Sequence, residues 1–195
     1  IDSAASARSW SITGSDSVTV NSISFNPIQK ITGNSTGPNT FTFAVGGKIS
    51  GVSGIGIDGG SSSNQITGPN ETTGWTSDAV TANKGTIVTS GGTTAFENVQ
   101  TIQGTGALNT LTGPDANRTW NITANNSGNI QDATPTTYLT FSGIQNLTGG
   151  SGNDTFKFGD GFTISGIVNG AGGSNTLDYS AYTTDVTVDI NHLAN

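Results

Sequence analysis

The chain has 195 residues and a formal net charge of −7, with 31% hydrophobic and only 10% charged residues. Its six Lys and Arg residues are scattered singly, which excludes the basic stripe of a nucleic-acid-binding surface. No apolar run approaches the length of a membrane-spanning helix, which excludes a helical membrane span on the evidence of sequence.

Short alternations of apolar and polar residues predict strands with one buried face. In chain order, the clearest are Val18-Thr19-Val20, Phe41-Thr42-Phe43, Phe156-Lys157-Phe158 and residues 186–190. The 29 glycines, many in doublets such as Gly59-Gly60, interrupt any long helix. The sequence therefore predicts an all-β protein with tight turns.

One short pattern, an amide or acid followed by a small polar residue and a large apolar one, occurs five times. Its copies are Asn39-Thr40-Phe41, Asn64-Gln65-Ile66, Asn109-Thr110-Leu111, Asp154-Thr155-Phe156 and Asn175-Thr176-Leu177. The intervals of 25, 45, 45 and 21 residues indicate a period of about 22, with alternate copies degraded. Such a period predicts a parallel β-solenoid (β-helix) with about 22 residues per turn. We expect a single domain over residues 1–195, with imperfect repeats at about 1–63, 64–108 and 109–195.

A longer pattern begins at a tryptophan. Trp75 and Trp120 are each followed 21 residues later by phenylalanine, and Trp10 is followed after 15 residues by Phe25. In each copy, the phenylalanine is followed by an apolar residue with Gln directly after it, then by a second apolar residue, and then by Gly. We predict that the tryptophans lie in the core; the rival interpretation is an exposed aromatic surface that stacks on glycans.

The asparagines of the short pattern are expected at corners of successive turns. Asn39, Asn64, Asn109 and Asn175 would then form a ladder in which each side-chain amide bonds to the next. The alternative is that Asn only tolerates the left-handed geometry of such corners.

Residues 149–157 match the haemolysin-type nonapeptide G-G-x-G-x-D-x-U-x at every fixed position. That motif binds Ca²⁺ through carbonyl and Asp oxygens from two stacked turns. The next candidate turn, residues 170–178, has Ala171 and Asn175 where the motif has Gly and Asp. The hypothesis of a calcium site therefore names Asp154, Asp160 and Asp178 as its carboxylates.

Catalytic constellations are hard to find. The single histidine, His192, has no evident nucleophile partner, there is no cysteine, and most acidic residues are isolated. Residues 54–59 spell G-x-G-x-x-G, but Gly60-Ser61-Ser62-Ser63 is a poor start for the helix that a dinucleotide site requires. We predict that the protein is not an enzyme; the less favoured alternative is a carbohydrate-active β-helix enzyme.

Residues 141–156, with their continuation through 164–182, resemble the repeats of giant bacterial surface and secreted proteins, including filamentous-haemagglutinin-like exoproteins. This resemblance implies a right-handed β-solenoid, export to the bacterial cell surface or the extracellular space, and an adhesive or scaffold role. It supplies no catalytic residues.

The expected function is a non-enzymatic structural or adhesive module within a longer array. No polar cap is evident at either end, since the first repeat is under way at Trp10 and residues 186–190 still alternate like a strand. We therefore expect head-to-tail self-association or stacking on neighbouring repeats. The alternatives are a calcium-dependent segment of an adhesin, or one that binds surface glycans.

Overall fold

A computed structural model describes residues 8–61, 63–106 and 108–187, and every regular element in these ranges is a β-strand. The strands are β1 (Arg8–Gly14), β2 (Ser17–Val20), β3 (Ile23–Phe25), β4 (Ile31–Thr32), β5 (Asn39–Phe43), β6 (Ile57–Asp58), β7 (Gln65–Thr67), β8 (Thr73–Ser77), β9 (Gly85–Thr89), β10 (Gly92–Glu97), β11 (Thr101–Gln103), β12 (Asn109–Thr112), β13 (Thr119–Ala124), β14 (Ser127–Gln131), β15 (Thr137–Ser142), β16 (Asn146–Thr148), β17 (Thr155–Phe158), β18 (Val168–Asn169) and β19 (Thr176–Asp178). His192 and residues 188–190 of the predicted last strand lie outside the described residues. The described residues contain no helix that is long and apolar enough to span a membrane.

The strands form two sheets. Sheet 1 has eleven strands in the order β3-β2-β1-β5-β7-β11-β15-β14-β13-β17-β19, and sheet 2 has eight in the order β4-β6-β10-β9-β8-β12-β16-β18. The chain alternates between the sheets, and their inward side chains meet in one hydrophobic cluster. The predictions of an all-β protein and of parallel strand pairs are confirmed.

Apolar side chains that face the interior lie in register along the sheets. Residues paired across successive strands of sheet 1 form a column of Trp10, Phe41, Ile66, Ile102 and Phe141. Because side chains alternate between the two faces of a strand, this register places one apolar residue of each strand against the next. The alternation in the sequence thus becomes a continuous apolar interior.

Three strands have only antiparallel neighbours. β2, β9 and β14 run antiparallel to both neighbours, and each is the middle of a three-stranded meander. The physical cause is a tight turn: Asn21, Ser22, Gly92 and Asn126 all have positive φ at hairpin connections. Turns with positive φ match the twist of paired strands, and Asn and Gly adopt them readily.

The prediction of a uniform turn of about 22 residues is wrong. Paired residues are 21 apart in β17 and β19 and 25 apart in β5 and β7, where one strand lies between them. The interval is 36 residues from β7 to β11 and 39 from β11 to β15, where a meander intervenes. The meanders, rather than degraded copies, account for the long intervals.

The 45-residue repeat also changes sheet. Asn64 directly precedes β7 in sheet 1, whereas the matching Asn109 opens β12 in sheet 2. The strands β7 to β11 lie in between, so the chain reaches the next copy on the opposite side. Successive 45-residue copies are therefore related by an exchange of the two sheets.

Candidate functional site

Two of the four predicted ladder asparagines meet at a corner of sheet 1. The Asn39 side-chain Nδ2 donates to Asn64 Oδ1 over 2.8 Å, and the Asn39 backbone N–H donates to the same oxygen over 3.0 Å. The Asn64 backbone N–H in turn donates to Gln100 Oε1 over 2.7 Å. Both asparagines are buried, so these bonds satisfy polar groups that would otherwise be costly in the interior.

The other two asparagines stand elsewhere. Asn109 lies in sheet 2, where its backbone N–H donates to Gln145 Oε1 over 2.8 Å. Asn175 lies at the end of sheet 1, where its Oδ1 accepts from the Asp154 N–H over 2.9 Å. The four residues therefore do not form one ladder; they belong to three separate sets. The glutamine partners were missed, although Gln100 and Gln145 occupy matching places in the longer sequence pattern.

The carboxylate of Asp154 acts as a corner acceptor within the nonapeptide turn. Its Oδ1 accepts from the Arg118 N–H and its Oδ2 from the Gly150 N–H, both over 3.1 Å. The side chain is 1% exposed, and this burial raises its pKa. Asp154 thus takes the corner position that Asn64 and Asn109 occupy in other repeats, with both oxygens engaged by backbone amides.

The other two proposed calcium ligands serve different turns. Asp160 accepts from the Thr183 backbone N–H and hydroxyl over 3.0 and 2.8 Å, and Asp178 accepts from the Ser180 N–H over 2.8 Å. These donors lower the pKa of both carboxyl groups. Within the described ranges, no three His, Asp or Glu side chains are grouped to hold a metal. The structure does not join Asp154, Asp160 and Asp178 into a calcium ligand set.

Replacing Asp154 by Asn gives a prediction about pH. Because the folded state raises the pKa of Asp154 above 3.8, it holds the proton more tightly than the unfolded state. This carboxyl group therefore favours folding least at neutral pH, and its contribution falls as the pH rises through the raised pKa. We expect the free energy of unfolding of the wild type, relative to D154N, to fall between about pH 3 and about pH 7 in urea titrations.

Asp160→Asn is the matched control with the opposite sign. Hydrogen bonds from the backbone and hydroxyl of Thr183 lower the pKa of Asp160, so its stabilising contribution is lost as the pH falls through the folded pKa. The wild type should therefore gain stability relative to D160N as the pH rises. Slopes of the same sign for the two variants would contradict the assignment of Asp154 as a buried acceptor.

The tryptophans of the two long repeats lie in the core. Trp75 and Trp120 are 1% and 0% exposed. Each indole lies over a glycine, since a Cβ on Gly68 or Gly113 would be 2.8 or 2.5 Å from the Cζ2 atom of the ring. Trp10, at the N-terminal end, is only partly buried and stacks on Phe41 with ring centroids 6.3 Å apart. Trp75 and Trp120 thus present no free face to a sugar.

An open groove of about 840 Å³ runs along one side of the stacked strands. Its lining is mostly Gly, Ala, Ser and Thr, with Asp78, Lys84 and Asp115 as the charged members. Asp78 accepts from the Val80 and Thr81 amides over 2.9 and 2.8 Å, and Asp115 accepts from the Ser151 amide over 2.9 Å. Both carboxylates therefore stabilise backbone turns at the rim of the groove.

The most exposed interior positions lie at the two ends of the sheets. Strands β3 and β4 are the outermost at the N-terminal end, and β18 and β19 at the C-terminal end. Leu177 of β19 is 50% exposed, although its neighbour in register, Phe156, is buried. Ile23 of β3 and Ile167, directly before β18, are also exposed. Among the described residues, Leu177 thus lacks the covering strand that its equivalent Phe156 has.

No family model matches this chain, and neither the curated proteins nor the solved structures provide a match. The geometry defines a class: an all-β protein of two mixed sheets that are linked at their corners by side-chain amides, with no described strand beyond the outermost one at either end.

Proposed function

We propose that this chain is a non-enzymatic structural module of the bacterial cell surface or extracellular space, folded as a right-handed β-solenoid and extended as one unit of a longer array or fibre. The observation that carries the proposal is that, among the described residues, the outermost strands of both sheets (β3, β4, β18 and β19) each have a neighbour on one side only. An open strand edge offers a row of free N–H and C=O groups to another strand. Solenoids that remain single molecules normally have capping elements.

Strand direction supports addition of a further unit in the same sense. β3 runs parallel to β1 because two antiparallel links, through β2, separate them, and β1 continues in parallel pairing through β5 and β7. The meander β13–β15 preserves the direction as far as β19. The first and last strands of sheet 1 thus point the same way, and so do β4 and β18 of sheet 2. A contact between unlike ends with matching direction can propagate.

The roles of the carboxylates and aromatic rings support a mechanical role. Asp154 and Asp160 accept hydrogen bonds from residues 36 and 23 positions away and so join separate turns, and the large aromatic side chains of the long repeats are buried. With a rise of about 4.8 Å per strand, the eleven strands of sheet 1 extend on the order of 50 Å. The proposed role is therefore mechanical: the protein spans a distance and presents repeated corners along its length.

Imaging and sedimentation test the proposal together. We expect negative-stain images of the purified protein to show rods of constant width that lengthen as the concentration increases. Sedimentation should show a matching series of masses that are multiples of the monomer. Compact globular particles, whose shape and mass do not change with concentration, would rule out the array.

A further inference from the structure

The two ends of the described sheets carry the two halves of a junction that occurs twice between them. One half, which we name the platform, is a pair of strands with an apolar residue, Gly, Asn and a second apolar residue at fixed spacing. The platforms are Ile57, Gly59, Asn64 and Ile66; Ile102, Gly104, Asn109 and Leu111; and Val168, Gly170, Asn175 and Leu177.

The other half, which we name the cover, is the segment that lies on a platform. Its pattern is Phe, an apolar residue followed by Gln, a second apolar residue, and Gly. The covers are Phe96, Val99, Gln100, Ile102 and Gly104; Phe141, Ile144, Gln145, Leu147 and Gly149; and Phe25, Ile28, Gln29, Ile31 and Gly33. All three copies have identical spacing.

Both internal junctions use the same register. In the first, Phe96 pairs with Ile57, and Ile102 pairs with Ile66. In the second, β15 and β16 lie on β11 and β12, so that Phe141 pairs with Ile102. The Phe of each cover therefore lies beside the first apolar residue of its platform, and the second apolar residue of the cover lies beside the second of the platform.

Two polar features mark each internal junction. The Gln of the cover accepts from the backbone N–H of the platform Asn, as in the bond from Asn64 to Gln100 and its counterpart from Asn109 to Gln145. The platform Gly also leaves room for a cover carbonyl, since a Cβ on Gly59 would lie 2.2 Å from the Asn98 oxygen. A Cβ on Gly104 would lie 2.4 Å from the corresponding oxygen of Gly143.

The third platform has no described cover. Asn175 is exposed, whereas Asn64 and Asn109 are buried, and Leu177 is half exposed. The three atoms nearest to a Cβ on Gly170 all belong to Asn175, so no carbonyl of a next strand is among them. No described residue therefore fills, at the C-terminal end, the space that a cover fills in the two internal junctions.

The third cover has no platform before it among the described residues. Phe25 and Ile28 are only partly buried and Gln29 is exposed, whereas all their counterparts in the internal covers except the glutamines are fully buried. A hollow of about 450 Å³ opens at this end, and its lining combines the apolar Trp10, Val20, Ile23 and Phe25 with the polar Arg8, Asn21, Thr32 and Asn34. The N-terminal end thus presents the cover half of the same junction.

We propose that the cover of one copy of this chain, residues 25–33, docks on the platform of a second copy, residues 168–177. In this junction Phe25 lies beside Val168, Ile31 lies beside Leu177, and Gln29 Oε1 accepts from the Asn175 backbone N–H. The inference rests on the proposed function, because it treats the chain as one unit of an array, and it adds the partner, the contact residues and their register.

The register also sets the relative orientation of the two copies. The cover strand β3 belongs to sheet 1, whereas the platform strand β18 belongs to sheet 2. Sheet 1 of one copy therefore continues sheet 2 of the other, the same exchange that relates successive 45-residue repeats. Pro27 stands where the internal covers have Asn98 and Gly143.

Cross-linking tests the register directly, because the chain contains no cysteine. Adjacent parallel strands are about 4.8 Å apart, within the range of Cα separations that a disulfide bridges. We expect an oxidised mixture of Ile31→Cys and Leu177→Cys proteins to form disulfide-linked heterodimers. The matched control pairs Leu177→Cys with Val80→Cys, since Val80 is 84% exposed and lies in a loop away from both ends. Equal cross-linking in the two mixtures would overturn the proposed junction.

Sedimentation supplies a second measurement on uncross-linked protein. Leu177→Asp places a charge in the junction and should weaken self-association on the order of a hundredfold, whereas Val80→Asp should leave it unchanged. If L177D forms the same fibres as the wild type, and the I31C and L177C proteins do not cross-link, the chain still forms an array but not through this junction. A wild type that stays monomeric, with the thiol of L177C freely labelled, would overturn both. If the protein is monomeric and the thiol of L177C is protected from labelling, another part of the same chain covers the platform, and docking of a second copy is overturned.

Discussion

Replacing Trp120 with alanine is expected to lower the free energy of unfolding by about 3–5 kcal/mol. The indole is fully buried, stacks on Phe156 with ring centroids 5.3 Å apart, and meets Phe141 edge-on at 6.4 Å. Its removal would leave a cavity between the two sheets. The sheets cannot close around this cavity freely, because backbone hydrogen bonds hold the strands of each sheet in register. Urea titration followed by circular dichroism measures the loss.

Trp10→Ala is the matched control, because the same residue type occupies the corresponding place in the first repeat. Trp10 is only partly buried and lies at the open N-terminal end, so we expect a loss of roughly 1–2 kcal/mol. Self-association at that end could add to the loss, so both variants are to be compared at low protein concentration. Equal losses in the two variants would show that the first repeat is packed as tightly as the middle of the chain.

Replacing Gly104 with alanine is the second large expected effect. A Cβ there would lie 2.4 Å from the Gly143 carbonyl oxygen and 2.6 Å from Cγ of Asn109, and both atoms are held at a buried corner. Relief requires the neighbouring strands to separate, which breaks the contact between the platform and its cover. We expect a loss of about 3 kcal/mol or more, measured as a lower unfolding midpoint in urea.

Gly74→Ala controls for the loss of a glycine as such. Gly74 lies in β8, and its Cβ would meet nothing closer than Val88 Cβ at 3.6 Å. Ordinary contact without strain, together with a less flexible unfolded chain, predicts no change or a gain of up to about 1 kcal/mol. If G104A and G74A were equally stable, close approach at the platform glycine would not be a determinant of the fold.

Local patterns in the sequence are enough to predict the strands, the repeat and most of the core. Alternation involves only adjacent residues, so the buried face of Phe41-Thr42-Phe43 can be predicted without knowing which strands lie beside it. The hairpins were also locally encoded, since Asn21-Ser22 and Asn125-Asn126 separate alternating segments as turn residues do. The assumption of a constant period concealed them, because a meander and a degraded repeat both lengthen the interval.

Which residues contact each other depends on how the strands are arranged in space. Asn64 and Asn109 have nearly the same local sequence yet belong to different sheets. The reason is that the chain crosses from one sheet to the other an odd number of times between them. The nonapeptide is likewise compatible with a metal ligand or an amide acceptor at Asp154. Its role follows from Arg118 and Asn175, which strand pairing brings to the same corner from 36 residues before and 21 residues after. Burial and hydrogen bonding of a side chain depend on neighbours that are distant in the chain, and no local pattern specifies them.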